Sequence, residues 1–203
     1  MRRDISEDEL SRMAERMDAM VPELQSLMEV FYRDSTIHHR TKGIGMLSKE
    51  DAYFLGAVGP TACASDVQND ARTLGYGAYN ELSFKPVVST NGDSLDRTVV
   101  RTKELFPSAD LIREVIEKMP SGEIEVKVKG NPDGKFFSQV EQPRGECIHY
   151  MKGNGKRNLV RERVRTPTFT NIPPLVKMLE GVELADVPVV VLSIDPCIGC
   201  CER

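Results

Sequence analysis

Tryptophan is absent and the aromatics together make up only 6% of the chain, yet 40% of its residues are hydrophobic. That balance is ordinary for a globular protein, and 203 residues can bury a core without covalent staples. An excess of basic residues is also missing. Lys and Arg number 27 against 31 Asp and Glu, a net charge of -4, which argues against nucleic acid as the main partner. No apolar run reaches the roughly 20 residues that a membrane-spanning helix needs. The longest, Val187 to Ile194, contains Pro188. Nothing here reads as membrane-crossing, and a peripheral place on a membrane complex stays open. There are no repeats, no low-complexity segment and no convincing linker, so residues 1–203 read as a single piece. No signal peptide is evident, and the cysteines, Cys63, Cys147, Cys197, Cys200 and Cys201, are five, an odd number. Reduced thiols in a cytosolic compartment are expected rather than a disulfide scaffold.

The stretch that organises the chain is its end, Asp195-Pro196-Cys197-Ile198-Gly199-Cys200-Cys201. Two cysteines three apart can put both sulfurs on one side of a tight turn, the geometry that thiolate ligation of a soft or borderline metal requires. Two thiolates do not fill a four-coordinate site, and no second CxxC or HxxxH pair is present. The missing ligands are expected from another polypeptide.

The rest of the chain reads as mainly α with a small β element. Ser6 to Glu9 is a capping box ahead of a long amphipathic helix whose methionine stripe suits core or inter-subunit packing, with Pro22 expected to kink it. Asp34 to Thr41, with His38 and His39, reads as a polar connection. Ser48 caps a short helix to about Ala57, and the run of small residues from Gly56 to Ser65 permits close backbone approach, to a cofactor cavity or to a neighbouring helix. Tyr76 to Phe84 reads as a loop or weak strand. Asn91 to Asp93 opens a second long helix, interrupted at Pro107, on which Asp96, Arg97 and Arg101 are expected as solvated or paired charges. Glu123 to Val128 alternates as a strand, and Gly130 to Gly134 is a turn. Cys147 to Met151 and Leu159 to Val164 flank a basic hairpin tip, read as a solvated turn because no helix follows its glycines. Thr170 or Asn171 then caps a helix running to Glu180, and the apolar segment Leu184 to Ile194 delivers the cysteines.

Two segments carry a family likeness. Glu141-Gln142-Pro143-Arg144-Gly145-Glu146, followed by His149, and Asp195-Pro196-Cys197-Ile198-Gly199-Cys200 together resemble the large subunit of nickel-iron hydrogenases. Gly59-Pro60-Thr61, Tyr79 to Leu82, and Asn91 to Asp93 with Asp96, Arg97 and Arg101 look like its energy-converting, membrane-bound branch. That branch includes the formate hydrogenlyase and Ech-type enzymes and is similar in turn to the quinone-site subunit of respiratory complex I. The likeness covers nearly the whole chain but only the C-terminal half of the family's large subunit, so the expected fold is that half of a hydrogenase-like helical bundle. The family's N-terminal CxxC has no counterpart before Cys63. A separate chain is therefore expected to carry it.

The resemblance implies that Cys197 is a terminal nickel ligand and that Cys200 bridges nickel and iron, the iron also bearing carbon monoxide and cyanide. Arg144 looks like the family's arginine above the metals, positioning hydride or hydrogen, with Pro143 beside it; Asp195 matches the acid that pairs with that arginine. Cys201 stands where relatives commonly have threonine and reads as a non-ligand thiol. Cys63 and Cys147 fall at positions the family does not use for metal, and an ending at Arg203 resembles the family's processed form. The expected activity is reversible interconversion of protons and hydrogen. Electrons would pass to iron-sulfur clusters on a small subunit, with membrane subunits as further partners and a place on the cytoplasmic face of a membrane. Two other readings stand beside it: a metal-free, complex I-like coupling subunit, and a thiol tail that binds zinc or exchanges disulfides, which leaves the Pro143 to Glu146 match unexplained.

Overall fold

In the computed structural model, which describes residues 4–202, the capping box at the start forms: Ser6 N donates to Glu9 at 3.0 Å and Glu9 N donates to the Ser6 hydroxyl at 3.3 Å. Helix α1 then spans Glu7–Arg33, continuing through Pro22. Asp34 ends α1 and caps α2 (Ser35–Thr41), its carboxylate accepting from Thr36 N and Ile37 N. The stretch read as a polar connection is therefore helical, because one acid can satisfy the orphan amides of the next helix. Helices α3 (Lys49–Phe54) and α4 (Pro60–Cys63) follow, then two short 3₁₀ turns at Ala71–Leu74 and Tyr79–Glu81 where a loop or weak strand was expected for the second.

Helix α5 (Ser94–Lys118) runs on through Pro107, against the expected interruption. A proline removes one N–H, and a helix with long flanks packed along one side can absorb that loss. That side is α1, tied to it by Arg113 and Asp18 at 2.7 Å. Of the α1 stripe only Met28 is buried, while Met13, Met20, Leu27, Val30 and Phe31 stay exposed.

The sheet is three antiparallel strands in the order β1 (Asp133–Gln142), β2 (Gly145–Asn154), β3 (Arg161–Arg165). Glu123 to Val128, read as a strand, is irregular: Val126 and Val128 are 81% and 89% exposed, so its alternation has no face to bury. The strand begins instead inside the predicted turn, at Asp133. Four short helices close the chain, α6 (Pro167–Thr170), α7 (Ile172–Met178), α8 (Val187–Ser193) and α9 (Ile198–Cys201). Arg203 lies outside the described residues.

The core collects Leu47, Ala52, Ala57, Ala62, Leu175, Met178, Val190 and Ile194. The small-residue run is its centre, buried from Ala57 to Ser65. Asn171, in place to cap α7, instead pairs its amide with the backbone of Val58, accepting from the N–H at 3.0 Å and donating to the C=O at 3.2 Å. Gly59 sits at φ 60, ψ -145, and a Cβ there would lie 2.4 Å from Gly145 Cα. Small side chains are thus used for backbone-to-backbone contact between this run and the β1–β2 turn.

The charges on α5 are buried rather than solvated. Asp96 is 5% exposed and accepts from Ser89 Oγ and from the backbone and side-chain nitrogens of Asn91. Arg97 is fully buried and donates to Ser193 Oγ at 2.7 Å, Gly45 O at 2.7 Å, Gly92 O at 2.9 Å and Ser94 Oγ at 3.0 Å. Burial pulls its pKa down to about 10, with Asp93 and Asp96 opposing the shift, so it stays a cation at neutral pH. Replacing it by Arg97→Met strands those acceptors in the core. The expected loss is about 3 kcal/mol of unfolding free energy, the scale of a buried network around a charged group. Urea unfolding of the two proteins measures it, and an unchanged midpoint would show that the carbonyls find other donors.

Candidate metal centre

The two motif segments, far apart in sequence, meet at one place. Gln142 pairs with Gly145 across β1 and β2, which leaves Pro143 and Arg144 as a two-residue turn at the hairpin tip. Gly145 supplies φ 126 on leaving that turn, a value a side chain would strain. Arg144 reaches from the tip to the C-terminal tail, where its Nε lies 2.7 Å from the carbonyl of Asp195 and 3.0 Å from Asp195 Oδ2. Asp195 is held at φ 52, one of two non-glycine residues with positive φ among those described. The arginine and acid singled out from sequence are brought together, while Pro143 lies exposed on the same tip.

The cysteines follow directly. Cys197 precedes α9 and Cys200 lies within it, and the turn is pinned to α6: Cys197 N donates to Thr168 Oγ1 at 3.2 Å and Thr166 Oγ1 donates to Cys200 O at 2.5 Å. The Cys197 thiol is drawn below its ordinary range by the Cys200 backbone N–H, then by the Cys200 thiol and by Arg144. Cys200 is pushed the other way, first by burial and then by its bond to Cys197. The pair thus titrates as a unit, with Cys197 as the first thiolate. Cys63, by contrast, is buried among Glu104, Asp70 and Glu141 and pushed up to about 12. Cys147 is buried on β2, and Cys201 is exposed.

Among the described residues no group of three or more His, Cys, Asp or Glu converges into a metal-binding set. Two coupled thiols with a cation beside them fit half of a thiolate-bound centre and no more. Glu146, within the same motif, bonds Gln139 and Arg165 and so ties β2 to its neighbours on both sides. Its task is structural.

Beside Asp195 opens a cleft of about 440 Å³, walled by Pro143, Arg101, Glu104, Arg72 and Glu141. Arg72 grips Asp70 through Nε at 2.9 Å and Nη2 at 2.6 Å and lies over the ring of Phe84. Glu141 accepts from Ala71 N at 2.8 Å, yet burial, aided by Asp70 and Glu104, raises it to about 8; burial raises Glu104 to about 6. Sequence reading assigned these acids no part. They lie on different elements with no shared spacing, and only the Glu141 position inside the hairpin motif marked one of them.

The model for the family described as "Respiratory-chain NADH dehydrogenase, 49 Kd subunit" matches residues 1–131 and 128–203. The chain belongs to this family. Within the 49 Kd subunit family it is 37% identical to the membrane-bound hydrogenase subunit alpha of Pyrococcus furiosus, over all of this chain and 52% of that protein. It is 35% identical to the carbon monoxide-induced hydrogenase of Rhodospirillum rubrum, over 98% of this chain and 56% of that one. Its fold superposes with a TM-score of 0.93 on a chain in the structure of the membrane-bound sulfane sulfur reductase, an archaeal respiratory membrane complex, at 29% identity, covering all of this chain and 57% of that one. The mainly α fold with a small sheet is the family's. The chain spans little more than half the length of these relatives. Among the described residues no helix is long and apolar enough to cross a membrane.

The raised pKa of Glu141 has a signed consequence. Its folded value of about 8 lies above the ordinary carboxyl value of 4.5, so the folded state holds the extra proton between them. Stability from this group is complete below about pH 4.5 and falls as the pH rises through 8. Glu141→Gln keeps an acceptor for Ala71 N and removes the titration. Relative to the parent, the variant is expected to gain stability at pH 9 over pH 5 in paired urea unfolding curves. An identical pH dependence in both proteins would mean that Glu141 is ionised throughout.

Proposed function

We propose that this chain is the part of a split nickel-iron hydrogenase large subunit that holds two of the four thiolates, and that it serves reversible interconversion of protons and molecular hydrogen. One observation carries the reading: Arg144, ion-paired with Asp195, lies close enough to the Cys197 and Cys200 thiols for its charge to act on both, with all four residues in the motif positions of that family. The hydrogenase names of two relatives support it.

Cys197 and Cys200 would hold the nickel-iron centre through their thiolates. When bound, the nickel-iron centre, with carbon monoxide and cyanide on iron, supplies the two-electron chemistry of hydrogen. The remaining tasks fall to the chain. The lowered pKa of Cys197 favours the thiolate, the form in which it would bind metal. Arg144 keeps a permanent positive charge beside both sulfurs, and Asp195 fixes its direction through the ion pair and the backbone carbonyl. Pro143 stands beside Arg144 at the tip and forms part of the wall of the adjoining cleft. Glu104 and Glu141, raised toward neutral pH, can hold protons at their carboxyl oxygens in the adjoining cleft.

The partners in this reading are a chain with the N-terminal CxxC half, a small subunit with iron-sulfur clusters, and membrane subunits that dock the assembly on the cytoplasmic face. A second reading, a metal-free coupling subunit, is favoured by the family's own description as part of NADH dehydrogenase. Metal analysis of the complex isolated with its partners separates the two. Expected are about one nickel per copy of this chain and infrared bands of metal-bound carbon monoxide and cyanide, with Cys197→Ser and Cys200→Ser losing both nickel and hydrogen turnover. An intact complex without nickel or those bands favours the coupling reading.

A further inference from the structure

The three-stranded sheet concentrates positive charge in an otherwise acidic chain. Residues 133–165 hold eight Lys and Arg against four Asp and Glu, whereas the rest of the chain holds 19 against 27. The strand register sorts those charges by face. Lys135 pairs with Lys152 and Lys152 with Arg161, so three cations from three strands stand abreast on one side, on strands about 4.8 Å apart. Two residues along, Phe137, Tyr150 and Arg163 form the next row of the same face. The β2–β3 hairpin tip adds Lys156 and Arg157, and all six cations are exposed.

The acids of the sheet do not answer them. Glu146 is bonded to Gln139 and Arg165, and Glu141 accepts from Ala71 N. Glu162 lies opposite Met151 on the other face, 3.9 Å from His149. Asp133 begins β1 on the basic face but forms no ion pair with any of the six cations among the described residues. Like charges directly opposite one another destabilise a sheet. Charge on an edge strand guards against pairing with other sheets, but Lys152 lies on the central strand, where there is no edge to guard. A row kept at that cost fits a surface built to meet negative charge.

Two features favour an acidic polypeptide over an anionic lipid surface. Phe137, 64% exposed, and Tyr150 stand beside the cations, and aromatic residues with arginine are the side chains that protein interfaces concentrate. A broad anionic membrane would also meet the net negative remainder of the chain, whereas a short acidic segment meets only the row, since screening confines each charge to about 8 Å.

We propose that this sheet face docks a run of Asp and Glu side chains from a partner polypeptide, laid across Lys135, Lys152 and Arg161 with Phe137 and Tyr150 as its apolar contact. The proposal rests on the multi-chain assembly described under the proposed function and not on its metal.

The complex purified with its partners is treated with a zero-length carbodiimide, which joins an amine to a carboxylate in contact with it. Links from Lys135 or Lys152 to an Asp or Glu of a partner chain are expected. If other lysines link to partners and these two do not, the proposal is overturned and the assembly stands; if the preparation holds no partner chain, both fall. Lys152→Glu gives a second readout of opposite sign. It converts the repulsive row into two attractive cross-strand pairs, so the urea midpoint of this chain is expected to hold or rise while the partner's dissociation constant weakens about tenfold. Exchange of the linked partner carboxylate for Lys is expected to restore the affinity. Undiminished retention of the partner by Lys152→Glu overturns the proposal. Binding of the parent chain to phosphatidylglycerol vesicles, lost in Lys152→Glu and with no linkage to a partner, also overturns it and assigns the face to lipid.

Discussion

A single buried cation decides where most of this molecule can be. Arg97 has no exposed surface and no carboxylate against it, so its charge is tolerated only because neutral oxygens from three parts of the chain converge on it. Gly45 comes from the loop after α2, Gly92 and Ser94 from the start of α5, and Ser193 from the end of α8. Each of these must stay in place for the guanidinium to remain solvated by protein. The last contact matters most for chemistry, since Asp195 lies only two residues beyond Ser193. A helix near the middle of the sequence thereby sets the height from which the thiol tail departs.

The second constraint is contact between backbones. Gly59 abuts Gly145 so closely that neither can carry a side chain without displacing the other. The hairpin tip that presents Arg144 is thus seated on the core's small-residue run rather than held by its own strands alone. Asn171, bonded to Val58 on the same run, extends the support to the helices that precede the tail. Arg144 and Asp195 are consequently approached from two sides by structure that has little freedom to shift. That preorganisation matters because an ion pair partly open to solvent gains little by itself.

Much of this was legible in the sequence, for identifiable reasons. The capping box, the start of α5 and the β2–β3 hairpin rest on local signals, and each forms near its predicted place. The pairing of Arg144 with Asp195 was legible only through the family likeness, since no local rule connects residues on a hairpin and a tail. The failures were tertiary. Glu123 to Val128 had the alternation of a strand but nothing to cover it, while β1 began inside an apparent turn. Asp96 and Arg97 were expected as solvated or paired charges, and their burial was not legible because sequence shows charge and not the groups that meet it. The Glu104, Glu141 and Arg72 cleft had no signature, being assembled from three elements.

The two-residue turn at Pro143 and Arg144 also fixes what evolution can change here. Adjacent residues on a strand point to opposite faces, so adding or deleting one residue between Gln142 and Gly145 would shift the register of β1 against β2 and turn alternate side chains from one face of the sheet to the other. Substitution alters one side chain at this tip. A change of length would rewrite the address of every residue on the strand. Exchanges along the exposed face of the hairpin leave that register intact, so the length of the tip, as much as the residue on it, keeps Arg144 against Asp195.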